Sequence, residues 1–145
     1  MSLDTLFTLA NLSVIPAWLL LIVAPRAAIT KNLVHSLVYP AILGVAYVSG
    51  ILTSASSGSG ADMGSLASLS AAFSNPSFML IGWLHYLVFD LFVGAWEARD
   101  ASRSNVPHLW LVPCLILTFM LGPTGLLLYL AIRYVYSKSL RLEEV

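Results

Sequence analysis

Trp83-Leu-His-Tyr-Leu-Val-Phe-Asp-Leu-Phe-Val-Gly-Ala-Trp-Glu97 decides the fold. The stretch is apolar enough to cross a bilayer, yet it carries His85 and Asp90 well inside its ends. An aspartate at the centre of a membrane helix costs roughly 2.5–3.5 kcal/mol even on lenient insertion scales, so it normally faces other helices or a wet cavity and marks function. On a helical wheel Trp83, Tyr86, Asp90, Gly94 and Glu97 share one side, because offsets of three, seven, eleven and fourteen nearly close whole turns. His85 falls roughly 140° from Asp90 at about 100° per residue, with Phe89, Phe92 and Trp96. The two are therefore not a same-helix couple, and each needs a partner from elsewhere.

Around this stretch the composition agrees. The 145 residues are 59% hydrophobic and 10% charged, with a mean hydropathy of +0.87. A soluble domain is closer to a quarter charged, so the chain reads as an integral membrane protein. Zero formal net charge and no basic tail exclude a nucleic-acid partner on electrostatic grounds. Cys114 is the single cysteine, which rules out an internal disulfide and fits inert packing. No Lys or Arg precedes the first apolar run, against a secretory signal peptide, and no Ser/Arg-rich presequence is visible. The expectation is direct insertion into a bacterial inner membrane.

Read in order, the chain predicts an all-α bundle of four transmembrane helices, near 5–24, 33–52, 78–96 and 108–133. On the first, Asn11, Ile15, Trp18 and Ile22 share a face, and Pro16 should loosen the helix. On the second, Asn32, His35, Tyr39, Ala46 and Gly50 form a polar and small stripe suited to close helix approach. Between spans two and three, Met63, Leu66, Leu69 and Phe73 suggest a short interfacial helix, and Asn75-Pro76 is a sound helix start. Glu97 to Pro107 is the charge-dense segment, expected to be a solvated turn. The fourth span is broken by Gly122-Pro-Thr-Gly125; with the helix resumed, His108, Thr118, Gly122, Gly125, Tyr129 and Arg133 share a side. Four spans place both termini together. The basic residues Arg26, Lys31, Arg99 and Arg103 put the turns after spans one and three in the cytoplasm, whereas Arg133, Lys138 and Arg141 would lie on the other side.

Several motifs together resemble the abscisic-acid-deficient-4-like family of small membrane proteins, whose plant members are linked to neoxanthin synthesis. They are Val23-Ala-Pro25 with Ile29-Thr-Lys31, Tyr39-Pro-Ala-Ile-Leu-Gly-Val-Ala-Tyr47, Trp83-x-His85-x4-Asp90-Leu-Phe92, Asp100, and Gly122-Pro-x-Gly125. The resemblance implies a four-helix enzyme acting on carotenoids, in plants by opening a xanthophyll epoxide to an allene. That isomerisation needs an acid and a base but no redox cofactor. A carboxyl group in an apolar interior tends to keep its proton, which would let Asp90 act as the acid, with His85 as base or shuttle. For a bacterial relative the resemblance implies a β-ring carotenoid or xanthophyll, changed by end-group isomerisation or by polyene cleavage to retinal-type products.

The residues expected to line the substrate slot are Asn11, Trp18, His35, Tyr39, Trp83, Tyr86, Glu97 and Tyr129. A second cluster, His35, Glu97, Asp100 and His108, carries metal-ligand chemistry but lacks paired spacing such as His-x3-His, so no metal is expected. With no Gly-rich nucleotide loop or haem-attachment pattern either, no cofactor is expected. The partners expected are the carotenoid and the lipid bilayer, with a homo-oligomer left open. Two other classes fit the same residues: a non-catalytic carotenoid-binding or scaffolding protein, and a proton-coupled transporter, against which stands the lack of an internal repeat.

Overall fold

The longest helix runs through the middle of the molecule, and every other long helix is placed by its contacts with it. In this computed structural model, which describes residues 1–36, 38–56, 63–139 and 141, the elements are α1 (Leu3–Val23), α2 (Ala28–Leu33), α3 (Val38–Ser56), α4 (Leu66–Phe73), α5 (Pro76–Arg103), α6 (His108–Leu121) and α7 (Pro123–Ser137). The described residues contain no strand. Three stretches are long and apolar enough to cross a membrane: α1, α2 with α3 (residues 28–56), and α5.

Helix α5 starts as its sequence demands. Asn75 caps it, accepting from the Ser77 N–H at 2.9 Å, and Pro76 occupies the first turn, where no N–H is needed. It does not stop at Trp96. The charge-dense segment expected as a turn is helical through Arg103, because Glu97 and Asp100 are buried against α6 and α7 rather than solvated. Ser104 and a left-handed Asn105 (φ 56°) then end the helix.

Helix α1 runs parallel to α5, since Asn11 meets Trp83 while Trp18 covers Gly94. Its buried line is Ala10, Val14, Ala17, Trp18 and Leu21; Ile15 is exposed, so the expected face was rotated. Pro16 is accommodated without breaking α1, and the Tyr39 hydroxyl donates to the Ser13 carbonyl one turn before it. Helix α3 is antiparallel to α5, with Gly50 against Ile81 and Tyr47 against His85. It starts at Val38 rather than Leu33, because residues 28–33 form α2, whose Thr30 hydroxyl donates back to the Ala24 carbonyl at 2.6 Å. Asn32 and Ala46 of the expected second stripe are exposed. Helix α3 packs chiefly on α5, with Tyr39 reaching α1, so one narrow line is buried and the rest is left for lipid. The short helix expected between spans two and three exists as α4, capped reciprocally by Ser65 and Ser68, with Phe73 laid over Gly82 and edge-on to Phe78.

The fourth span is the main correction. Residues 108–137 form two short helices folded back on each other. A Cβ on Gly125 would overlap the Thr118 nitrogen and lie 2.6 Å from the Cys114 carbonyl oxygen. In one continuous helix, residues seven apart sit about 10 Å apart along the axis. The reversal is made at Gly122, whose φ of 44° favours glycine, followed by Pro123. Along α5 the contacts give direction: Asp90 meets Gly122 and Glu97 meets Thr118, so α6 descends, whereas Asp100 meets Tyr129 and Arg133, so α7 returns. At 14 and 15 residues each arm is only about 21–23 Å long, short of the roughly 30 Å hydrocarbon core. The pair is a helical hairpin, neither arm of which is long enough to cross.

This rearranges the charges. The end of α1, α2, the end of α5, the start of α6 and the end of α7 gather at one end of the bundle, where the His108 ring also bonds the Ile22 carbonyl at 2.8 Å. All seven Lys and Arg residues of the chain lie there: Arg26, Lys31, Arg99, Arg103, Arg133, Lys138 and Arg141. The tail that conflicts with a four-span layout joins the other basic residues, as charge-biased insertion demands. In sealed vesicles, single cysteines replacing Ser104 and Lys138 (in a Cys114→Ser background) should react with an impermeant maleimide from the same side, and one replacing Ser65 from the opposite side. A four-span chain would instead pair Lys138 with Ser65.

Candidate functional site

Three acidic residues of α5, spaced seven and three apart, face the hairpin and form a polar seam. Nearest the basic end, Asp100 accepts from Arg133 Nε at 2.6 Å, from the Tyr129 hydroxyl at 2.5 Å and from Ser104 at 3.2 Å. Arg133 is itself buried and donates onward to the carbonyls of Ser139 and Arg141 at 2.6 and 3.1 Å, which ties down the chain beyond α7. In the middle Glu97 has 0% exposure, and the Thr118 hydroxyl bridges its two oxygens at 3.0 and 3.1 Å. Trp96 packs edge-on against the fully buried Tyr129.

At the tip of the hairpin stands Asp90. A Cβ on Gly122 would lie 2.9 Å from its Oδ1, so only glycine lets the turn close over this carboxyl group. Its Oδ2 is buried and has no hydrogen-bond partner among the described residues. Tyr86, one turn earlier, interacts with Asp90 and donates to the Phe119 carbonyl at 3.1 Å.

Beyond the tip the hairpin ends, and α1 and α5 are left uncovered. The wall there is aromatic: Phe7 and Trp83 have ring centroids 5.7 Å apart, and Trp83 stacks on Tyr86 at 5.1 Å. Asn11 holds the indole, accepting from Trp83 Nε1 at 3.0 Å while its own amide donates to the Phe7 carbonyl. A cleft of about 350 Å³ continues past Phe7, Met79 and Trp83 to Leu3 and Pro76. The result is a flat apolar surface, open sideways to the bilayer, with a carboxyl group at its inner end.

Of the residues expected to line a substrate slot, Asn11, Trp83 and Tyr86 meet here. Trp18 sits behind the tip, packed on Gly94 and 5.3 Å from Phe119. Glu97 and Tyr129 are sealed in the seam. His35 and Tyr39 lie elsewhere: His35 Nε2 bonds the Pro25 carbonyl at 3.0 Å, and Tyr39 reaches α1 at Ser13. His85 is on the opposite face of α5, against Tyr47 and Phe89, in a groove of about 490 Å³ shared with α3. The cluster His35, Glu97, Asp100 and His108 does not converge, since each member is committed to a different partner; among the described residues no three His, Cys, Asp or Glu side chains do. Reading residue types alone missed the Asp100–Arg133 pair and the part played by Phe119. The available signal was length: 14 apolar residues before Gly122-Pro123 are too few to span.

A buried ion pair broken on one side leaves an uncompensated charge, so Asp100→Leu should lower stability by about 3–5 kcal/mol. The double variant Asp100→Leu/Arg133→Leu should recover most of that loss, read as thermal unfolding in detergent. Additive losses would show that the pair does not act as a unit.

Comparison with known proteins now bears on this geometry. Protein ABA DEFICIENT 4, chloroplastic, of Arabidopsis thaliana is 30% identical over 110 residues, covering 71% of this chain and 50% of that protein. The chain thus spans about half the length of that relative, whose name places it in the chloroplast; nothing in the comparison points to the bacterial inner membrane expected from the N-terminus. No solved structure matches. The family model described as ABA DEFICIENT 4-like matches residues 5–129, from the first turn of α1 to the tyrosine that bonds Asp100, and so takes in both the aromatic wall and the seam. The chain belongs to the ABA DEFICIENT 4-like family.

Proposed function

We propose that the protein is a membrane enzyme that isomerises the end group of a β-ring carotenoid or xanthophyll, with Asp90 as its acid. The observation that carries this reading is the Asp90 carboxyl group, whose Oδ2 is buried with no partner among the described residues, beside an aromatic wall. A polyene is flat, rigid and soluble in the membrane, so it can enter sideways and lie along Phe7, Trp83 and Tyr86 by apolar and aromatic contact. Its ring end then reaches the hairpin tip.

Chemically, the site supplies a proton donor in a dry setting. Asp90 gives its proton to an oxygen or an alkene carbon of the end group, and the cation that forms loses a proton from a neighbouring carbon to the Asp90 carboxylate, which is thereby reset. Formula and oxidation level are unchanged, so isomerisation uses only what the site provides. Tyr86 steadies the carboxyl group, and Asn11 fixes Trp83. His85, on the other face of α5, takes no part in this step. Polyene cleavage to retinal-type products, the other reaction the family resemblance implies, is the outcome that would replace this reading.

A host making candidate carotenoids would be given the gene and its pigments separated by chromatography. A product of unchanged mass is expected. Asp90→Asn should abolish it while pigment still co-purifies, because asparagine keeps the shape but transfers no proton; removing a general acid typically lowers rates about 10²–10⁴-fold. His85→Gln should retain product formation. Turnover by Asp90→Asn would remove that residue from the mechanism, and pigment retained but unchanged by the wild type would assign binding instead of catalysis.

A further inference from the structure

The motif Val23-Ala-Pro25 with Ile29-Thr-Lys31 takes no part in the site around Asp90, yet the structure holds it in place from three sides. The Thr30 hydroxyl donates to the Ala24 carbonyl at 2.6 Å, the His35 ring bonds the Pro25 carbonyl at 3.0 Å, and the His108 ring bonds the Ile22 carbonyl at 2.8 Å. A carbonyl only accepts, so each ring donates through Nε2. The end of α1 and the turn that carries Arg26 are thereby fixed against α2 and the start of α6.

Between this turn, the end of α5 and the start of α6 lies a cavity of about 300 Å³. Its floor is apolar: Ala98 and Ala101, one turn apart on α5, leave the room, and Leu111 closes it from α6, all three buried. Arg26, Ser102 and His108 supply the polar part of the wall. Val23, also in the wall, is exposed where the membrane-spanning α1 ends. Neither the cleft beside Phe7 nor the groove beside His85 has a Lys or Arg in its wall. Arg26 is exposed, and no carboxylate among the described residues pairs with it. Glu97 and Asp100 are buried and face α6 and α7 instead. With Lys31 and Arg103 also exposed at this end, the field around the cavity is positive.

We propose that this cavity binds the head of an anionic lipid, a phosphodiester with one negative charge, with the Arg26 guanidinium as its counter-ion. Position selects the ligand: the cavity lies at the basic end, where α1 stops, which is headgroup depth. A guanidinium offers paired N–H donors that match two phosphate oxygens, and the Ser102 hydroxyl can donate a third bond. The glycerol end of the lipid covers Ala98 and Ala101, and its chains leave past Val23 into the bilayer. A soluble phosphate would satisfy Arg26 but leave the apolar floor against water, a contact that lipid removes. Basic pockets between membrane helices take anionic headgroups for the same reasons. The assignment does not depend on the reaction at Asp90.

The full-length protein in neutral detergent would be titrated with dioleoylphosphatidylglycerol or dioleoylphosphatidylcholine, and bound lipid counted by native mass spectrometry. One phosphatidylglycerol is expected to bind at least about 10-fold more tightly than phosphatidylcholine, whose choline group offsets the phosphate charge; this is the scale of one charge-assisted hydrogen bond. Arg26→Gln should erase that preference, and Arg26→Lys, which keeps the charge without the paired donors, should keep part of it. Arg103→Gln removes a charge from the same end but not from the cavity wall, and should leave the preference intact. Unchanged binding by Arg26→Gln, or an equal loss with Arg103→Gln, would overturn the site in favour of a diffuse attraction to the basic end. Should Arg26→Gln misfold, Ser102→Leu, which narrows the cavity at an exposed position, must weaken retention of phosphatidylglycerol. Inorganic phosphate at matched concentration should leave the lipid bound; displacement would overturn the lipid assignment and make this a soluble-phosphate site.

Discussion

The structure depends on the need to satisfy polar groups inside an apolar surround. Helix α5 carries Asp90, Glu97 and Asp100 along one side, and none of these can face hydrocarbon cheaply. A continuous fourth span could not reach all three with the groups available. The hairpin does so by bringing two faces to the same side of α5: Thr118 from the descending arm meets Glu97, and Tyr129 and Arg133 from the returning arm meet Asp100. Gly122 and Gly125 make the reversal possible, the first by its positive φ and the second by direct contact with the Thr118 backbone. Close helix packing through small residues is the usual device inside membranes; here it also sets the depth at which Asp90 lies.

That depth shapes the site. Because each arm of the hairpin is shorter than α5, the far parts of α1 and α5 are left without a cover on the hairpin's side, and Phe7, Trp83 and Tyr86 form a lateral wall there. The same chain reversal that closes over Asp90 therefore opens the space beside it. It also returns Arg133, Lys138 and Arg141 to the end that already holds the other basic residues, leaving the opposite end without a single Lys or Arg. Charge asymmetry, cleft and buried seam are three consequences of one turn.

The seam grades from engaged to bare along its length. Asp100 has an ionic partner and two hydroxyls, Glu97 has one hydroxyl, and the Asp90 Oδ2 has no hydrogen-bond partner among the described residues. Stability considerations alone would favour apolar replacements for the lower two, since buried charged groups rarely repay their desolvation. The position of Asp90 at the inner end of an open cleft is what points from packing to chemistry.

Much was legible from the residues. Hydropathy located three long helices, wheel positions put Asp90, Gly94 and Glu97 on one side and His85, Phe89, Phe92 and Trp96 on another, and Asn75-Pro76 marked the start of α5. These follow from helical periodicity, which acts within a single segment. Even the side shared by Thr118, Gly122, Gly125, Tyr129 and Arg133 was readable. Only the tertiary structure decided that this side is folded in two, because a Gly-Pro break fixes where a helix stops and not which way the chain leaves. Only the structure, likewise, paired Asp100 with Arg133 across 33 residues, withdrew His35 and Tyr39 from the cleft, and placed Asp90 at its inner end. Those outcomes rest on which helices touch, and periodicity within a helix carries no information about its neighbour.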